Sequence, residues 1–157
     1  MTESRPTDPP IFQIFNEIGI INQLSSTWFA RRLAPDLNVS EFSVLNHFVR
    51  LGGQKTPSRL ARAFQMTKPS MTAILGKLSS KGYVEIIGSK EDRRRKLVSI
   101  TADGRAARER GIAALAGVAR DLEDQIDVAE LVKILPTLTL LRETLDAARS
   151  DEDDLNR

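Results

Sequence analysis

Apolar side chains recur near the start of the chain at three- and four-residue steps, through Ile11, Ile14, Phe15, Ile18, Ile21, Leu24 and Trp28. That period predicts an amphipathic helix. A second helix is expected from Ser40 as N-cap, with Val44, Leu45, Phe48 and Val49 on one face and Gly52-Gly53 as the stop. Thr56-Pro57 then opens a short third helix with Leu60, Ala61 and Phe64 on its apolar side, and Gln65-Met66 supply a turn. The fourth should run from Thr67 to about Lys81, closed by Gly82 in the left-handed region. Its inward stripe is Met71, Ile74, Leu75 and Leu78, which leaves Lys68, Ser70, Thr72, Ala73, Lys77 and Lys81 facing out. Beyond it the period changes from helical to alternating. Tyr83 to Ile87 and Leu97 to Ile100 read as the two strands of a hairpin, joined by a long polar tip, Ser89 to Lys96, that carries five cations. Thr101 then caps a helix bearing Ile112, Leu115, Ala119, Leu122 and Ile126. A last helix presents Leu131, Ile134, Leu138, Leu141 and Leu145 and should be kinked at Pro136, which removes one backbone hydrogen bond.

Charge sharpens this picture once it is counted by segment. The whole chain of 157 residues is nearly balanced, with 23 Lys and Arg against 21 Asp and Glu. Between Lys55 and Arg105, however, twelve basic residues face four acidic ones, a net of +8, while the remainder holds eleven against seventeen, a net of −6. A basic centre between acidic ends suits a polyanion held by the middle of the protein. Short hydroxyl side chains on the outer face of the fourth helix permit close approach to a major groove, and the lysines reach phosphates. The cationic hairpin tip has little reason to pack against protein and suits a phosphate backbone or a narrow minor groove.

Other chemistry finds little support. There is no cysteine, which removes disulfides, thiolate metal sites, Cys nucleophiles and thiol redox switches. His47 is the sole histidine, too few for a zinc site without cysteines. Neither a phosphate-cradling glycine loop nor a nucleophile elbow occurs, so no enzyme, metal or cofactor is expected. The start of the chain is polar and proline-rich, and no stretch is apolar enough for a membrane span, which leads to the expectation of a cytoplasmic protein with no membrane partner.

The stretch TPSRLARAFQMTKPSMTAILGKLSSKGYVEIIGSKEDRRRKLVSITADGR resembles the DNA-binding lobe of the MarR (multiple-antibiotic-resistance regulator) family. The wing is the most specific part: Asp92-Arg93-Arg94, the Leu-Val-Ser-Ile-Thr strand and Gly104 are similar to the family's Asp-x-Arg tip and its continuation. The chain departs from the family pattern at Ile86 and Ala73. The resemblance implies a mainly α fold with a small β-hairpin wing, a winged helix-turn-helix lobe over residues 36–100, and dimerisation helices over 11–34 and 102–148, all in a single domain. It implies that Arg94 enters a minor groove with Asp92 as its positioning partner, flanked by Arg93, Arg95 and Lys96, and that Ser70, Thr72 and Lys77 lie on the recognition helix.

The two apolar seams after Thr101 exceed what one small core needs, and together with the resemblance they point to a homodimer on a near-palindromic duplex. The family habit adds repression and an aromatic or phenolic effector, for which Trp28, Phe29, His47 and Arg50 are candidate crevice residues. Residues 150–157, rich in Asp and Glu, are expected to form a disordered tail. An architectural protein that binds duplex DNA without sequence preference is the alternative reading of the same charge pattern.

Overall fold

The computed structural model describes residues 8–33, 35–88 and 96–155. The helix α1 (Pro10–Ala30) opens on a proline at its first position, where a missing N–H leaves nothing unsatisfied. Next comes α2 (Val39–Leu51), whose N-cap is Asn38 rather than the expected Ser40. The displacement has a cause in Glu41. The Asn38 side chain accepts from the Glu41 amide at 2.9 Å, while the Glu41 carboxylate accepts from the Asn38 amide at 3.1 Å. This reciprocal box satisfies two orphan donors at once, which Ser40 has no partner to match. Gly52 and Gly53, at φ +62° and +67°, end the helix as expected.

Thr56 caps α3 (Pro57–Ala63) and Thr67 caps α4 (Lys68–Ser80), each accepting from the amide three residues on. Between them Gln65 adopts φ +50° and makes the turn of a helix-turn-helix. Gly82, at φ +73°, redirects the chain into the hairpin of β1 (Val84–Gly88) and β2 (Lys96–Ile100), antiparallel with Val84 opposite Ile100 and Gly88 opposite Lys96. Lys55 adds a single bridge to Val98 through bonds of 3.0 and 2.8 Å, tying the start of α3 to the wing.

The core lies wholly in this region. Val44, Leu45 and Phe48 of α2, Leu60 and Ala61 of α3, Met71, Leu75 and Leu78 of α4 and Val98 of β2 are buried together, and Leu37, Val84 and Ala107 complete the set among the described residues. The expected stripe of α4 is the buried one, with Ile74 at its margin.

The helix α5 (Ala102–Glu123) approaches this core unusually closely. Thr101 Oγ1 accepts from the Gly104 amide at 3.0 Å and donates to the Gly82 carbonyl at 2.6 Å. A Cβ on Gly104 would lie 2.0 Å from the Tyr83 carbonyl oxygen, and one on Gly111 would lie 2.7 Å from the Phe42 ring. Gly104, Ala107 and Gly111 therefore form the line along which α5 meets the lobe, and only small residues fit there.

Contacts divide the chain into a unit ending at Leu115 and a second beginning at Ala116. In the second, α6 (Val128–Leu155) runs through Pro136 as one element. It extends past residue 150, where a free tail was expected, because no glycine or proline follows Pro136 to stop it. No described side chain of this unit is buried. In α1 likewise no residue is buried. Among the described residues no helix is long and apolar enough to cross a membrane.

Two glycine substitutions separate packing from propensity. Gly104→Ala should destabilise by about 1–3 kcal/mol or more, because backbone cannot yield to the new methyl. Gly76→Ala, which meets nothing within 4 Å, should stabilise by about 0.5–1 kcal/mol through helix propensity. Thermal denaturation of both variants reads the opposite signs.

Candidate nucleic-acid interface

Burial of Met71, Leu75 and Leu78 fixes the roll of α4 and so decides what its other face offers. Lys68, Ser70, Thr72, Ala73 and Lys77 are all exposed on it, and the helix contains no Asp or Glu. Lys68 and Lys77 make no ion pair among the described residues. The Ser70 hydroxyl lies 2.7 Å from Thr67 Oγ1, which orients it at the helix start. At that end the backbone dipole also favours an anion. The face is thus shallow, cationic and free of carboxylates.

Lys81 stands apart from this set. Its ammonium donates to Glu41 Oε2 and to the Asp36 carbonyl, each at 2.7 Å, and Glu41 is only 1% exposed. The structure therefore uses Lys81 to neutralise a buried carboxylate, a role the outward position in the helical pattern did not reveal. The Asn38–Glu41 spacing was the available signal for Glu41, since a capping box places that carboxylate close to the helix start.

Lys96 is exposed at the first position of β2. Asp92, Arg93, Arg94 and Arg95 lie outside the described residues. Arg59, exposed on α3 within the basic segment, was not singled out from sequence because a seven-residue helix shows too little periodicity to orient it.

Of the four crevice candidates the structure brings two together. His47 and Arg50 border a cavity of about 270 Å³ with Phe42, Ser43, Asn46, Ala63 and Phe64. Trp28 and Phe29 do not border it. They stack on each other with centroids 6.5 Å apart, and the Arg32 guanidinium lies 4.8 Å from the Trp28 ring centre. Among the described residues no group of three or more Asp, Glu or His is placed to hold a metal ion.

A second polar cluster joins the segment before α2, the start of the wing and α5. The Tyr83 hydroxyl donates to Asp36 Oδ2, and Arg110 Nη2 donates to the same oxygen at 3.1 Å and to the Tyr83 hydroxyl at 3.0 Å. The hydrogen bond from Tyr83, helped by Arg110, holds the Asp36 carboxyl below its ordinary value of 3.8. The same bond and partial burial push the Tyr83 phenol above its ordinary 10.0.

A family model described as the MarR family matches residues 36–95. The multiple antibiotic resistance protein MarR of Salmonella typhimurium is 31% identical over 101 residues, which span 59% of this chain and 69% of that protein. Among solved structures, the transcriptional regulator BldR of Sulfolobus solfataricus is similar with a TM-score of 0.68 and 26% identity, over 86% of this chain and 98% of its own. A mutant MarR of E. coli complexed with operator DNA shares the fold at a TM-score of 0.64 and 24% identity, over 87% of this chain and 99% of its own.

The Asp36–Tyr83 bond has a definite pH signature. The raised phenol contributes stability in full below pH 10.0, lost as the pH climbs through the higher folded value. The lowered carboxyl contributes in full above pH 3.8, lost as the pH falls through the lower folded value. The stability difference between wild type and Tyr83→Phe, measured by urea unfolding, should therefore be flat through neutrality and shrink at both extremes.

Proposed function

The chain belongs to the MarR family, whose members regulate transcription and are not enzymes, and from that premise we propose that it binds a near-palindromic duplex as a homodimer in the cytoplasm and represses transcription there. The observation that carries this reading is the exposed, acid-free face of α4 with Lys68, Ser70, Thr72, Ala73 and Lys77. Its hydroxyls and its alanine allow contact with base edges, and its lysines meet phosphates. In this account the wing residues Arg93, Arg94, Arg95 and Lys96 follow the backbone, with Arg94 in the minor groove and Asp92 orienting it. The fold shared with E. coli MarR on operator DNA supports the same docking mode.

Dimerisation rests on bare apolar surface. In α1, Phe12, Ile21 and Leu24 are 56%, 60% and 66% exposed. In α6, Leu131, Ile134, Leu138 and Leu145 are exposed as well. A second copy of the chain covers these helices, giving a two-fold dimer whose recognition helices address half-sites about 34–36 Å apart. An amphipathic aromatic or phenolic acid suits the cavity beside His47 and Arg50, with the Arg50 cation for its carboxylate and Phe42 and Phe64 for its ring. A ligand there acts by changing the spacing of the recognition helices.

Fluorescence anisotropy tests the reading, using a duplex selected by the wild-type protein from a randomised pool against a scrambled duplex, across a salt series. Specific binding should fall steeply with salt, and Lys77→Ala should flatten the log–log slope by about 0.9 for each protomer, about 1.8 for the dimer. Arg94→Ala should weaken binding to the selected duplex by about 1–3 kcal/mol. Equal affinity for both duplexes would support the architectural alternative instead. In sedimentation, the double variant Ile21→Glu with Leu24→Glu should run as a monomer and lose tight binding.

A further inference from the structure

Several features of the lobe converge on the junction between α5 and the recognition helix. Close contacts at Gly104 and Gly111 bring α5 against the Tyr83 carbonyl and the Phe42 ring, with Ala107 buried between them. A single line of steric contacts fixes distance, but it leaves the lobe able to roll about that line. Two arginines stand off it. Arg108 donates to Asn46 Oδ1 on α2 through Nε at 3.1 Å and Nη2 at 2.9 Å. Arg110, roughly 110° round the helix from the line by the 3.6-residue period, reaches Asp36 and the Tyr83 hydroxyl. Its guanidinium also lies 6.0 Å from the Tyr83 ring centre.

Both residues that receive Arg110 are joined to α4. Tyr83 follows α4 directly, and its amide donates to the Leu78 carbonyl at 2.9 Å. The Asp36 carbonyl accepts from Lys81 at the end of α4. Any roll of α5 against α4 must break the Arg110 contacts.

We infer that Arg110 is a positioning residue for DNA recognition: by tying α5 to Asp36 and Tyr83 it fixes the roll of the recognition helix, and so sets which half-site separation the dimer accepts. This inference rests on the reading of the chain as a dimeric reader of duplex DNA. One inserted base pair moves a half-site by about 3.4 Å and turns it by about 35°. A lobe held against rolling cannot follow that turn, whereas a lobe free to roll can. Arg110 is half exposed and its ion-pair partner Asp36 is 40% exposed, so the contact adds little to stability and its removal leaves a folded protein.

The test uses the full-length dimer and the near-palindromic duplex selected by wild type, remade with one base pair inserted or deleted at its centre. Wild type should discriminate against both altered duplexes by about tenfold or more, in the range of a single lost specific contact. Arg110→Ala should narrow that discrimination by about threefold or more, and Arg110→Ala with Arg108→Ala, which also removes the bonds to Asn46, should narrow it further, while affinity for a scrambled duplex, sedimentation and melting temperature of Arg110→Ala stay close to wild type. Tyr83→Phe should narrow it in part, Arg110→Lys should restore part of it, and the double variant Asp36→Asn with Arg110→Ala should match Arg110→Ala alone. A uniform loss of affinity at every spacing, or an unchanged spacing profile, would overturn the role of Arg110 while leaving the regulator reading intact. Failure of wild type to select any duplex would overturn both.

Discussion

The carboxylate of Glu41 is the constraint around which the lobe is assembled. It is buried, so it needs both a counter-charge and a full set of donors. The Lys81 ammonium supplies the counter-charge and, with the Asn38 amide, donates to Glu41 Oε2, and Lys81 bonds the Asp36 carbonyl at the same time. One carboxylate thereby fixes the start of α2, the end of α4 and the segment that precedes α2. Replacing Lys81 strands the Glu41 charge in a low-dielectric site, whereas Lys81 itself, a third exposed, keeps access to water. The roll of α4, and with it the face that carries Lys68, Ser70, Thr72 and Lys77, follows from this anchor and from the burial of Met71, Leu75 and Leu78.

A contrast in burial gives the molecule its functional logic. Residues between Leu37 and Ala107 supply the whole buried apolar core, whereas α1 and the described part of the second unit bury nothing. On the reading proposed above, the apolar terminal helices that the lobe leaves bare are the surface that another copy of the chain covers. The basic centre sits on the lobe and most of the acidic excess lies after it, so in the proposed reading association and polyanion binding use different surfaces.

Much of this was legible in the order of residues, for a physical reason. The helices of the lobe bury one face within their own chain, so their three- and four-residue steps report it directly, and the caps at Thr56, Thr67 and Thr101 and the left-handed glycines at 52 and 82 fall where the pattern puts them. What escaped depends on partners distant in sequence. Ser40 is a good cap by type, but Asn38 has Glu41 three residues on. Lys81 looked like one more outward cation because its bond to Glu41 spans forty positions. Arg110 gave no local signal at all, since Asp36 lies 74 residues away. Trp28 and Phe29 were grouped with His47 by residue type, and the fold separates them from the cavity that His47 and Arg50 border.

Hydroxyl-radical footprinting of the wild-type protein on its selected duplex tests the central claim most directly. The account predicts two symmetric protected windows, one helical turn apart, that appear together as protein is added. Protection spread evenly along the duplex, or a single window that saturates alone, would contradict it.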